Sequence, residues 1–210
     1  MIIGICGFQS SGKDTIADYL IKEHGFIKMS FASRLKDIIA IMFGWPRDKL
    51  EGLTKEDREW REQIDPWWSK TLQMPHLTPR YVMQYFATDL FRNKFHPDIW
   101  VKIVENELNK LIEQNTERKI VISDCRFENE INMILRLGGK IIQVHREPPY
   151  WFYDYRNGEE PPPNIKLIHR SEIEWIRCYR DYDITNDGTI EELYEKILQV
   201  IKYNLDVMCL

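Results

Sequence analysis

An apolar run, Ile2 to Cys6, passes directly into Gly7-Phe8-Gln9-Ser10-Ser11-Gly12-Lys13, a G-x-x-x-x-G-K pattern followed at once by a helical periodicity. No other feature of the chain narrows its fold as much. A buried strand feeding such a loop turns several backbone N–H groups toward one concavity, and the helix behind adds the positive end of its dipole. A polyphosphate is the ligand this geometry suits. Gly7, Ser10, Ser11, Gly12, Lys13, Asp14 and Thr15 are the expected residues around it.

The remaining composition sets limits. At 210 residues the chain can bury a substantial core, and we expect one folding unit spanning 1–210. A net charge of −4 and a pI near 5.8 provide no global positive field, so polymeric nucleic acid and anionic membranes are excluded as first expectations. The longest apolar stretch, Ile38 to Trp45, is too short to span a bilayer. Cys6, Cys125, Cys178 and Cys209 form no C-x-x-C pair, which argues against a zinc site or disulfide framework and for a reducing, cytoplasmic setting.

Hydrophobic periodicity orders the rest. Ile2–Cys6, Phe26–Phe31, Lys119–Asp124, Ile141–His145 and Asp183–Thr185 read as strands alternating with helices, the last helix running from Ile190 to Val207. That alternation predicts a three-layer α/β fold, a central parallel sheet with helices on both faces. Residues 45–97 break the rhythm with charges and isolated tryptophans. They read as an inserted helical region, with Thr54 and Asp57 as a capping pair and Thr78-Pro79 opening a longer helix. Residues 147–170, rich in proline and aromatics, are too long and irregular for a simple connection and read as a lid.

Chemistry then attaches to particular positions. Lys13 is placed to reach β- and γ-phosphate oxygens that gain charge during phosphoryl transfer. The Ser or Thr that ordinarily follows this lysine is Asp14 here, with Thr15 next, so either oxygen is a candidate for magnesium, while a helix-N-terminal acid favoured by the dipole explains Asp14 equally well. Asp124 ends its strand at the carboxyl edge of a parallel sheet, beside the loop, and can join the metal's shell. Arg126, two residues on, is a candidate phosphate ligand, with pairing to Glu128 or Glu130 as the alternative. Arg80, Gln84, Thr88 and Arg92 are spaced by four, and on an α-helix each step turns only about 40°, so they share one stripe. A solvated face would look the same. Asn186, in an Asn-Asp-Gly sequence after the last strand, reads as a neighbour of the bound base or as an ordinary turn residue.

Taken together, Gly12-Lys13-Asp14-Thr15, Ser30-Phe31-Ala32 with Leu35-Lys36, Thr78-Pro79-Arg80 with Gln84, Thr88-Asp89 and Arg92, and Asp124-x-Arg126-Phe127 with Asn129-Glu130 resemble the deoxynucleoside monophosphate kinases of tailed phages and large DNA viruses. Leu137-Gly138-Gly139, His169-x-Ser171-Glu172 and Asp183-Ile184-x-Asn186-Asp187-Gly188 extend the likeness over most of the chain. The resemblance implies a P-loop kinase fold and transfer of the γ-phosphoryl of ATP, with Mg2+, to the 5′-phosphate of a deoxynucleotide. It implies that Lys36, Arg80, Arg92 and Arg126 hold the acceptor, that Gln84, Thr88 and Glu172 read base and sugar, and that the enzyme is a homodimer in the host cytoplasm. Two anions must be brought together, so Arg146, Arg156 or Arg170 is expected to arrive with the lid, which also excludes water. Another P-loop small-molecule kinase, for dephospho-coenzyme A or phosphomevalonate, and a non-catalytic nucleotide-binding protein are the competing readings. A GTP switch protein is not one, because Asn93-Lys94-Phe95-His96 fails its N-K-x-D guanine signature.

Overall fold

The computed structural model describes residues 1–114, 118–160, 162–163 and 168–208, the side chains of 203–208 excepted. Cys209 and, within the expected lid, residues 161 and 164–167 lie outside the described residues. In chain order the elements are β1 (Ile2–Cys6), α1 (Lys13–His24), β2 (Ile27–Met29), α2 (Ser33–Phe43), α3 (Lys55–Glu62), α4 (Pro66–Thr71), α5 (Pro79–Gln84), a π-helical stretch (Tyr85–Phe95), α6 (Ile99–Gln114), β3 (Ile120–Ile122), α7 (Glu128–Arg136), β4 (Lys140–His145), α8 (Phe152–Arg156), β5 (Tyr182–Thr185) and α9 (Ile190–Met208). Short 3-10 turns occupy several of the connections. Among the described residues no helix is long and apolar enough to cross a membrane.

The chain falls into two compact units, residues 1–30 with 104–210 and residues 31–103. The first unit holds the whole sheet, in the order β2-β3-β1-β4-β5 with every pair parallel. The period-2 alternation of β1 decides what each face covers. Ile3 and Ile5 point into a core shared with Ile16 and Leu20 of α1 and Leu193 and Ile197 of α9, all at most 3% exposed. The opposite face carries Gly4, where an added Cβ would meet Ile134 of α7, Ile141 of β4 and Cys125 within 3.2 Å. Helices therefore cover both faces, as the alternation of elements predicts. Burying each such Ile or Leu contributes about 1.5–3 kcal/mol, so this double-sided core is what fixes the strand ends that carry the loop.

The second unit begins at Phe31, earlier than the expected insertion at Trp45. The reason is packing. Leu35 and Ile39 of α2 bury themselves with Trp45, Leu50, Leu77, Val82 and Trp100, so α2 belongs to the helical unit's own core. Its local signals act as the sequence predicts: Thr54 Oγ1 accepts from Asp57 N while Asp57 Oδ2 accepts from Thr54 N, and Thr78 Oγ1 accepts from Tyr81 N ahead of Pro79. One feature differs. The helix begun at Pro79 keeps α geometry only to Gln84, then continues as a π-helix to Phe95, ending with a bond from His96 N to Phe91 O. Closing each ring at i→i+5 turns every residue through a smaller angle than in an α-helix, so steps of four no longer drift the way the sequence spacing predicts.

Candidate active site

The loop lies where β1 hands over to α1, and close approach explains two of its glycines. A Cβ on Gly7 would sit 2.4 Å from the Val144 carbonyl oxygen, and one on Gly12, at φ +105°, would sit 2.6 Å from Asn186 Nδ2. Ser10 adopts φ +63°, the kind of turn that aims successive N–H groups at one point. Asn186 Nδ2 donates to Ser11 O at 2.9 Å. The asparagine, just after β5, thus braces the loop. Lys13 Nζ lies back over the loop and donates to Phe8 O at 2.6 Å. Burial pushes the Lys13 ammonium below its usual value, Asp14 and Glu172 pull it upward, and Arg126 reinforces the lowering. Those influences have one meaning: Asp14, Arg126 and Glu172 all lie within electrostatic reach of Lys13.

The carboxyl edge of β3 supplies the facing groups. Ser123 Oγ donates to Asp14 Oδ1 at 2.9 Å, and Ser30 Oγ donates to Asp124 Oδ2 at 2.7 Å. The two predicted acids are therefore each oriented by a hydroxyl at the strand ends. Thr15, half-buried, follows Asp14 in the first turn of α1. Just beyond, Glu130 accepts the backbone N–H groups of both Arg126 and Phe127, at 2.7 and 3.1 Å, and is itself 2% exposed. That carboxylate sets the backbone of Arg126 and leaves its guanidinium to another partner. Arg126 NH1 pairs with Glu172 Oε1 at 2.5 Å, joining two predicted site residues 46 positions apart. Neither Glu128 nor Glu130 forms the ion pair that the sequence offers as the alternative.

The three arginines expected on the lid fare differently. Arg146 is exposed just beyond β4. Arg170 pairs with Glu174 and lies 6.0 Å over the Phe127 ring, with its side chain 71% exposed. Arg156 is held against the sheet. Gln143 of β4 and Asp183 of β5 are register partners, so both face the same side of the sheet. Arg156 donates to both, at 3.1 and 2.5 Å, and its side chain is 9% exposed. Within residues 147–170, Trp151 and Phe152 are buried, at 6% and 0% exposure. His145, 3% exposed, adds Nε2 to the same Asp183 oxygen at 2.7 Å. Burial holds the His145 imidazole below its usual pKa, and Asp183, despite its own burial, is held at about 2 by Arg180, Arg156 and His145.

In the second unit Lys36 Nζ lies 2.5 Å from Glu51 Oε2, and Arg47 bridges Glu51 and Asp37 at 2.5 and 2.6 Å. Burial opposes ionisation of Glu51, but Lys36 and Arg47 outweigh it and lower its pKa. Arg80 Nε pairs with Glu62 Oε1 at 3.2 Å, and Gln84 and Thr88 are half-buried. Arg92, in the π-helical stretch, is 8% exposed and donates to Pro97 O at 3.2 Å.

Several participants carry no motif of their own. Phe8 fills one of the unspecified positions of the loop. Ser123, Glu51 and Trp175 act through contacts 15 to 167 residues away in sequence, if counted from their partners Asp14, Lys36 and Phe8. The one local signal was polar Gln143 and His145 alternating with apolar residues inside an otherwise buried strand.

Comparison with known proteins identifies relatives. Residues 67–155 match the family model described as deoxynucleotide monophosphate kinase. A bacteriophage T4 protein named deoxynucleotide monophosphate kinase is 23% identical over 252 aligned residues, spanning 96% of this chain and 98% of that protein. Among solved structures, a dephospho-CoA kinase from Campylobacter jejuni shares the fold, with a TM-score of 0.50 at 15% identity over 96% of this chain and 95% of that one. An Acanthamoeba polyphaga mimivirus protein described as a deoxynucleotide monophosphate kinase is 33% identical over 212 aligned residues, spanning 96% of each. With kinship of that degree along nearly its whole length, this chain belongs to the deoxynucleotide monophosphate kinase family.

Proposed function

We propose that the protein transfers the γ-phosphoryl of ATP to the 5′-phosphate of a deoxynucleoside monophosphate, giving ADP and a deoxynucleoside diphosphate. The observation that carries this reading is the grouping of Lys13 with Arg126 and Glu172 within electrostatic reach of one another at the carboxyl edge of the sheet. An acceptor phosphate is already anionic near neutral pH, so catalysis needs positioning and charge neutralisation more than a strong base. Lys13 exchanges a neutral carbonyl for phosphate oxygens of the donor. Arg126 exchanges Glu172 for the acceptor phosphate, and the Glu172 carboxylate would then accept from a sugar hydroxyl or base.

Asp14 and Asp124 provide hard oxygen donors oriented by Ser123 and Ser30, a donor set suited to magnesium, with Thr15 as a further oxygen. Among the described residues no three His, Cys, Asp or Glu side chains converge, so the ion would rest on one or two carboxylates and on the nucleotide's phosphates. When bound, it would offset the charge of the β- and γ-phosphate oxygens. For the second unit we propose Lys36, Arg80, Gln84 and Thr88 as acceptor ligands. Arg92 we assign to structure. Arg146 and Arg170, both exposed, keep their proposed part in closure, whereas Arg156 braces the β4–β5 edge.

The test is ADP formation from MgATP, alone and with each common deoxynucleoside monophosphate or dephospho-coenzyme A. Stimulation by at least one deoxynucleotide, and none by dephospho-coenzyme A, is expected. A rate that no deoxynucleotide raises above the acceptor-free level refutes the assignment.

A further inference from the structure

Phe8 stands apart from the other residues of the loop. Its ring is surrounded by three aromatic side chains from a distant part of the sequence, with centroids 6.0 Å from Trp151, 5.8 Å from Phe152 and 5.1 Å from Trp175, all met edge-on. Edge-to-face contacts of this kind are directional and add about 0.5–1.5 kcal/mol each beyond burial. The cage itself is fixed from beneath. Trp175 and Phe152 are 1% and 0% exposed, Gln143 Nε2 donates to Trp175 O at 2.9 Å, and His145 lies under both rings, at 6.4 and 4.9 Å.

Both ends of this cage reach reacting groups. On the donor side, the backbone carbonyl of Phe8 is the acceptor for Lys13 Nζ. On the other, Trp175 Nε1 donates to Glu172 O at 3.0 Å, and Glu172 holds Arg126. An ordinary phosphate loop needs no aromatic residue at this position, since its function resides in backbone N–H groups and lysine.

We propose that Phe8 is a positioning residue whose caged ring holds the Lys13 loop in register with the Arg126–Glu172 pair. The inference rests on the reaction proposed above and deepens it. In that reaction the bond between the γ-phosphorus and the β,γ-bridging oxygen breaks while an oxygen of the acceptor phosphate bonds to the same phosphorus. If water takes the acceptor's place, the products are ADP, inorganic phosphate and a proton. Register between the loop and the arginine decides which oxygen arrives in line, and small misplacements are enough to change rates substantially.

The measurement is therefore a ratio, diphosphate formed to inorganic phosphate released in one incubation with MgATP and the preferred deoxynucleoside monophosphate. Unfolded protein contributes to neither product, so a purely structural defect leaves the ratio unchanged. Phe8→Leu keeps the site apolar but removes the ring, and it is expected to raise the share of inorganic phosphate about fivefold or more. Trp175→Phe keeps an aromatic ring but removes the bond to Glu172, and is expected to raise that share by about twofold. An unchanged ratio in both variants overturns the inference while the reaction stands. No diphosphate from the unaltered protein overturns the reaction itself, and the inference with it.

Discussion

Lys13 in the first unit and Lys36 in the second are both half-buried cations assigned to phosphate, yet they are held in opposite ways. Lys13 donates to a backbone carbonyl, and its environment, dominated by burial, lowers its pKa. Lys36 sits on the carboxylate of Glu51, whose own pKa is lowered by the pairing. A neutral partner yields to an anionic phosphate at little cost, whereas a carboxylate must first be displaced and rehydrated. Lys13 is thus preset on a neutral acceptor, while the cations proposed for the acceptor phosphate are each held by a carboxylate. Arg126 on Glu172 and Arg80 on Glu62 follow the second pattern.

The largest effect should follow from emptying the preset position. Lys13→Ala is expected to lower kcat/KM by about 10³-fold with the fold intact by circular dichroism, because no other cation replaces it at the transferring group. Arg126→Ala should lower kcat/KM for the deoxynucleotide by roughly 100-fold, with the affinity for a non-hydrolysable ATP analogue changing less than about threefold. Equal losses on both sides would place Arg126 with the donor and weaken the contrast.

A smaller effect belongs to the brace behind the site. With the Asp183 side chain 40% exposed, solvent screens its pairs with Arg156 and Arg180, so Asp183→Asn is expected to cost about 1 kcal/mol at pH 7, or roughly 3 °C in Tm. The sign with pH is definite. Because folding lowers the Asp183 pKa from 3.8 to about 2, its stabilisation is fully present above pH 3.8 and is lost as pH falls toward 2, so variant and parent should converge over that interval. His145 acts earlier. Its buried imidazole resists a proton that the unfolded chain accepts, so the parent begins to lose stability as pH falls below 6.5. The smallest effect is expected at Glu51→Gln, which removes the carboxylate competing for Lys36. An acceptor KM about threefold lower would sharpen the comparison, and a higher one would make Glu51 a support for Lys36 in its binding position.

The elements that carry the donor site were legible because their signals are local. Each strand has an apolar run, the loop has its glycines and lysine, and the ends of α3 and α5 have capping residues at fixed offsets. The helix after Gln84 was not, since a spacing of four suits an α stripe and nothing in Arg80, Gln84, Thr88 and Arg92 announces i→i+5 bonding. The contacts of Arg156 were hidden for a related reason: they depend on Gln143 and Asp183 meeting across β4 and β5, a pairing no segment encodes alone. The cage around Phe8 is of the same kind, assembled from Trp151, Phe152 and Trp175 only when the sheet is complete.

If this glycine loop holds ATP as proposed, the γ-phosphoryl passes to a nucleotide and not to water. Incubation with γ-labelled ATP, magnesium and a mixture of deoxynucleoside monophosphates, followed by separation of products, tests it directly. The label is expected in a deoxynucleoside diphosphate, and to vanish from it in Lys13→Ala. Label found solely in inorganic phosphate, or left in ATP whichever deoxynucleotide is present, would contradict it.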